Sequence, residues 1–132
     1  MMKSIVSILV LLLHIPMYQL TQADIIDELA NYFKAGNAKE IGKEFAPSVE
    51  LIIIDQEDVY NKAQAEQILK DFFIKNPPNK VTVIHRLNSS QNYRLGIFLL
   101  QTKTGKFRVT VTMKKNYNAF LISELRIDPD KE

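Results

Sequence analysis

His85 is the side chain of this 132-residue chain best suited to moving a proton near neutral pH, because imidazole titrates there. A catalytic base of that kind needs a second acid or base within reach, and the pattern places none beside it. A buried or half-buried histidine bonded to a backbone carbonyl therefore accounts for His85 more simply than catalysis does. One histidine without clustered carboxylates is also a poor ligand set, so no metal and no cofactor is expected. The chain has no cysteine, which excludes disulfides, thiol chemistry, cysteine zinc sites and lipidation at an export cut site. Neither a nucleophile–base pair nor a phosphate-binding glycine loop is present.

The other histidine, His14, ends an N-terminal apolar run over 5–13 that only Ser7 interrupts. Lys3 precedes the run, Pro16 follows, and Thr21-Gln22-Ala23 offers small residues for cleavage. This is the pattern of a secretory leader over 1–23, too short for the roughly 20 apolar residues that cross a bilayer. The protein is expected to be exported, to the periplasm or beyond, with no stable membrane span after cleavage. Residues 24–128 then form a single domain and 129–132 a short polar tail. Lys plus Arg nearly balance Asp plus Glu, at 17 against 15, so nucleic acid is not an expected partner.

The elements that must position any site follow from periodicity. Ile26, Leu29, Ala30 and Phe33 have helical spacing, with Gly36-Asn37 as a left-handed stop. Either Thr21 with Asp24 or Asp24 with Asp27 can cap that helix. A short second helix carries Ala38, Ile41 and Phe45 and ends before Pro47. Residues 49–55 read as a strand, 56–58 as a turn, and Val59-Tyr60 as a brief return strand. Asn61 and Gln64 form a capping box before a third helix lined by Ala65, Ile68, Leu69, Phe72 and Phe73. From Lys80 the period becomes two, and strands are expected over 81–87, 93–102, 106–114 and 119–127.

Register decides which residues share a face. A three-residue loop ending in Gly105 pairs Thr102 with Lys106. A similar loop at 116–118 pairs Met113 with Leu121, and centring the first hairpin near Ser90 pairs His85 with Leu95. The helix-covered face then includes Val81, Val83, His85, Leu87, Leu95, Ile97, Leu99, Val109, Val111, Met113 and Leu125. A ligand pocket lined by Tyr60, His85, Phe72 and Leu95 is expected there. The outer face presents an apolar patch of Ile84, Phe98, Leu100, Phe120 and Ile122, bordered by Arg86, Arg94, Arg108 and Arg126. Contiguous exposed apolar residues mark a contact surface, so a homodimer through this face is expected. Arg86 opposite Arg94 would repel unless a carboxylate relieves the pair.

The order helix, short helix, strand, helix and long meander resembles the cone-shaped α+β superfamily of nuclear transport factor two and ketosteroid isomerase. The segment from Val59-Tyr60-Asn61-Lys62-Ala63 into Ile68-Leu69-Lys70-Asp71-Phe72-Phe73 carries the likeness, as does the 37–47 helix before an apolar strand. With the leader and the missing cysteines, the chain resembles an exported family of unknown function from Bacteroidota. The resemblance implies a strongly curved antiparallel sheet, a cone-shaped half-barrel of cystatin-like type, covered by three N-terminal helices. Ketosteroid isomerases place an oxyanion-donating tyrosine on the first helix and a proton-carrying aspartate near the first long strand. Tyr32 and Asp55 fall at similar places here. Where that family has a second acid on a middle strand, this chain has Ile97, Phe98, Leu99 and Leu100. The expected function is a non-catalytic small-ligand-binding or dimerisation module of the cell envelope, with a small apolar ligand or a second copy as partner. The alternative is a lyase or isomerase acting on a hydrophobic carbonyl compound in the cone, using His85 or Asp55.

Overall fold

The computed structural model describes residues 24–131, so the leader expected over 1–23 lies outside the described residues. Helix α1 (Ile25–Ala35) begins at Asp24, whose Oδ1 accepts the Ile26 N–H at 2.9 Å. It ends at Gly36, whose φ of 64° suits a residue without Cβ. The Gly36 N–H donates to the Phe33 carbonyl and the Asn37 N–H to that of Tyr32. Ile26, Leu29 and Phe33 form the buried stripe of α1. Helix α2 (Ala38–Lys43) is capped by Asn37, and α3 (Lys62–Lys75) by the reciprocal Asn61–Gln64 box read from the sequence.

Six strands form one open sheet in the order β2-β1-β6-β5-β4-β3. They are β1 (Phe45–Ile53), β2 (Gln56–Asn61), β3 (Pro78–Leu87), β4 (Tyr93–Thr102), β5 (Lys106–Asn116) and β6 (Ala119–Pro129). The sheet is mixed: β6 returns beside β1 and runs parallel to it, while every other pair is antiparallel. The β6 ladder passes residue 128, since Pro129 pairs with Phe107 and the Asp130 N–H donates to the Lys106 carbonyl at 2.9 Å. Phe45 opens β1 instead of closing α2. Pro47, which has no N–H to give a ladder, lies where the β1–β6 register shifts between Phe45 and Glu50. The first hairpin turns at Ile54-Asp55, two residues before the expected place, with Ile54 at a φ of 58°. A branched residue resists that conformation, which is why the sequence pointed to the polar residues beyond it. The Ile54 N–H donates to the Ile127 carbonyl at 2.8 Å and so anchors the turn to β6.

Three departures from the expected register rearrange the two faces. The β4–β5 loop holds four residues, so Gln101, and not Thr102, opposes Lys106. Thr102 is drawn inward as the one buried polar side chain among the described residues. Its Oγ1 donates to the Gly105 carbonyl at 2.8 Å and accepts from the N–H groups of Thr104 and Gly105 at 3.2 Å. That added loop residue turns all of β4 over. The β5–β6 turn is two residues, Tyr117-Asn118, and a shift follows at Thr112/Met113, so Ile122 opposes Met113. A bulge between Val83 and His85 turns over the end of β3.

Phe98, Leu100 and Ile122 are consequently fully buried in the helix-covered core, and are not part of an outer patch. Phe120 also turns inward and packs against that core. A run of rings crosses the interior: Phe98 to Phe33 at 5.6 Å, Phe33 to Phe73 at 5.9 Å, Phe73 to Phe72 at 5.9 Å and Phe72 to Phe107 at 5.2 Å. Four of the five belong to different elements, so the contacts join α1 and α3 to β4 and β5.

Gly96 sits in β4 directly beneath Ile26. A Cβ there would lie 3.0 Å from Ile26 Cδ1 and 3.2 Å from Phe98 Cζ. Gly96→Val is expected to lower unfolding stability by about 2 kcal/mol in urea titration. Adding Ile26→Ala to that variant should recover part of the loss, because the clash is with that side chain.

Candidate functional site

The interior leaves little room for the expected ligand pocket. Phe72 belongs to the packed core, and Tyr60 is half-buried against it. Leu95 is half-buried on the outer face, and His85, displaced by the β3 bulge, is exposed. The four expected lining residues therefore do not meet in one cavity. The catalytic candidates separate too. Tyr32 is half-buried on α1, Asp55 is exposed at the β1–β2 turn, and His85 stands on β3 facing away from the helices. No acid–base site joins these three side chains. Among the described residues no group of three or more histidine, aspartate or glutamate side chains could hold a metal ion.

The geometry places a cleft of about 560 Å³ at one end of the sheet, lined by Asp24, Ile25, Glu44, Asn88, Arg94, Asn118, Ala119 and Phe120. Four elements converge there: the start of α1, the end of α2, the β3–β4 loop and the β5–β6 turn. The Lys115 N–H donates to the Asn92 carbonyl at 2.9 Å and ties the last two together. Asp24 Oδ2 accepts from Arg86 Nη1 at 2.7 Å and from Asn88 Nδ2 at 3.0 Å, and Arg86 Nη2 reaches Asp27 Oδ1 at 2.7 Å. Arg86 therefore does not oppose Arg94 across an outer face. The bulge sends it inward, where it latches the start of α1 onto β3. Burial pushes the Asp24 carboxyl up, but the bonds from Ile26, Arg86 and Asn88 outweigh it and hold the group below the usual aspartate range.

Arg94 lies with its guanidinium carbon 4.1 Å from the centre of the Phe120 ring. Its Nη1 donates to the Ser90 and Tyr93 carbonyls, and among the described residues it pairs with no carboxylate. Glu44 is half-buried at the end of α2, and its carboxylate has no hydrogen bond or ion pair among the described residues. Burial, then the negative charge of Glu28, pushes its carboxyl above the usual glutamate range, with Lys62 offsetting part of this. Sequence reasoning missed Glu44, because nothing in its spacing shows that α2 ends at the cleft Arg94 and Asn118 also line. Arg94 was visible as an unbalanced cation, though assigned to the wrong face.

A second cleft, of about 470 Å³, lies between the β1–β2 turn and the end of α3 and is lined by Ile54, Asp55, Ile68, Asp71 and Lys75 among others. On the outer face, register aligns Leu87, Leu95, Thr112, Glu124 and Glu50 in one row, and His85, Ile97, Thr110, Arg126 and Ile52 in the next. Leu99, Arg108 and Asp128 follow in a third. The Glu50 carboxyl is pushed up chiefly by the neighbouring Glu57 carboxyl, then by burial and by Glu124 beside it.

An open, curved sheet with three helices on its inner side defines the cone-shaped α+β class. The fold matches a domain from Nostoc punctiforme described as having a cystatin-like fold, with a TM-score of 0.63 and 8% identity over 80% of this chain and 73% of that one. It also matches Rd1NTF2_05, whose designation carries the nuclear-transport-factor-two abbreviation, with a TM-score of 0.59 and 15% identity over 78% and 92%. Within that class the chain belongs to the family described as Domain of unknown function (DUF4783), which matches residues 26–128. The crystal structure of a member from Bacteroides uniformis is 28% identical, covering 83% of this chain and 100% of that one, with a TM-score of 0.78. No curated protein matches the chain.

The two perturbed carboxylates act oppositely on stability. Asp24, held low when folded, contributes stability present above its unfolded pKa of about 3.9 and lost as pH falls through its folded value. Glu44, held high, contributes stability that is complete below its unfolded value of about 4.3 and lost as pH rises through the folded one. Urea titrations across pH 3 to 8 should therefore show Glu44→Gln to be more stable than the parent at about pH 7, with the two converging near about pH 4. A Glu44→Gln protein less stable at neutral pH would contradict the unpaired carboxylate described above.

Proposed function

We propose that this protein is an exported, non-catalytic assembly module that pairs with a second copy through the outer face of β4. One observation carries the reading. The side of the sheet opposite the helices keeps Leu87, Leu95, Ile97 and Leu99 only half-buried, with Ile84 exposed at 48% on the adjoining edge. Apolar groups in a contiguous stripe gain by further burial, at roughly 25 cal/mol for each Å² removed from water.

The self-matching apolar stripe favours a second copy over an unrelated partner. A two-fold axis across the strands at Ile97 sets Ile97 on its own counterpart and Leu95 against Leu99. The row of Leu95 and Thr112 in one protomer then meets the row of Leu99 and Arg108 in the other, strand over strand, with Glu124 above Asp128. Export rests on the leader pattern of residues 1–23 together with a domain that begins, with its helix cap in place, at Asp24.

N-terminal sequencing of the exported protein should begin at Asp24. Sedimentation of that protein should give the mass of a dimer, halved by Ile97→Glu. Leu95→Glu should weaken association by at least about tenfold, because each Leu95 meets a Leu99 across the axis. A monomer at all concentrations, or a mass indifferent to Ile97→Glu, would dismiss the interface.

A further inference from the structure

The cleft at the end of the sheet has hydrogen-bonding capacity that the described residues do not use. Arg94 commits only its Nη1, leaving Nε and Nη2 without partners among the described residues. Among the described residues the Glu44 carboxylate and the Asn118 amide have no hydrogen-bond partner, and Asn88 uses its Nδ2 but not its Oδ1. Donors and acceptors therefore face the same space of about 560 Å³, a size at which small-molecule sites occur.

Charge narrows the ligand. Asp24 is balanced by Arg86. Glu44 and Arg94 line the same cleft with opposite charge, so an anion entering it meets Glu44 and a cation meets Arg94. A neutral group that both donates and accepts satisfies both walls, and a hydroxyl is such a group. Ile25, Ala119 and Phe120 supply apolar surface between the polar groups.

The rim adds an independent observation. Tyr117, next to the lining residue Asn118, is 92% exposed and held at a φ of 56°. A tyrosine in that conformation is disfavoured, and a ring displayed to water does nothing for the core. An exposed aromatic ring one residue from the cleft lining is suited to packing on the C–H face of a sugar ring held there.

From this combination we infer that the cleft binds a neutral saccharide of one or two rings, with Glu44 and Arg94 bonding its hydroxyls and Tyr117 covering a ring face. This site is separate from the outer face and does not depend on pairing of two copies.

The probe is cellobiose, with glucose, gluconate and glucosamine as a neutral, anionic and cationic series, in saturation-transfer NMR on the exported protein. Cellobiose and glucose should receive saturation at millimolar concentration, and glucose should bind more tightly than gluconate or glucosamine. Glu44→Gln and Arg94→Gln should each weaken cellobiose binding by about tenfold, the loss expected for a hydrogen bond to a charged group. Because Glu44→Gln is expected to stabilise the fold, its loss of binding cannot come from unfolding. Tyr117→Gly, which relieves the turn, should reduce the signal while leaving thermal stability equal or higher. Absence of saturation transfer to both neutral sugars, tighter binding of either charged analogue, or signals unchanged in Glu44→Gln and Arg94→Gln would each overturn the assignment.

Discussion

The rest of the structure depends on the parity of β4. Side chains alternate along a strand, so a single residue added to or taken from a connecting loop exchanges its two faces completely. Here the added residue is held by Thr102, whose hydroxyl organises the 102–105 turn from within the sheet. With that turn in place, Phe98 and Leu100 point at the helices, Gly96 lies under Ile26, and Leu95, Ile97 and Leu99 look outward.

Once Phe98 points inward, the interior closes. Its ring meets Phe33, and the contacts continue through Phe73 and Phe72 to Phe107 on β5. Protein interiors pack about as closely as organic crystals, and these rings occupy the centre where the expected pocket would lie. Polar groups capable of recognition are thereby displaced to the end of the sheet, where loops and helix termini meet, and to the outer face. The same division explains why His85, Asp55 and Tyr32 do not cooperate. Each belongs to a different boundary of a filled core.

Much of the architecture was legible in the chain. The Asn61–Gln64 box, the Gly36 stop and the apolar spacing of the first and third helices depend on interactions within a few residues, and all are found in place. Strand positions in the meander were legible for the same reason. The misread places each involve a longer reach. Ile54 adopts an unfavourable φ because β6 takes its N–H, and Phe45 leaves the helix because it pairs with Ile122. The bulge at Ile84 has no mark in the sequence, yet it decides that Arg86 reaches Asp24 while His85 faces water.

By itself, then, the amino-acid sequence determined the fold class, the order of elements and the absence of cysteine chemistry, because these follow from composition and local periodicity. Only the tertiary structure decided which face each strand presents, and with it the candidate site. Glu44, Arg94, Asn118 and Phe120 come from four separate stretches of chain, and no local pattern records that they line one cleft. The physical reason is that face assignment has a period of two. One hydroxyl in one turn, bonding groups that are adjacent only in the folded chain, is enough to reverse it.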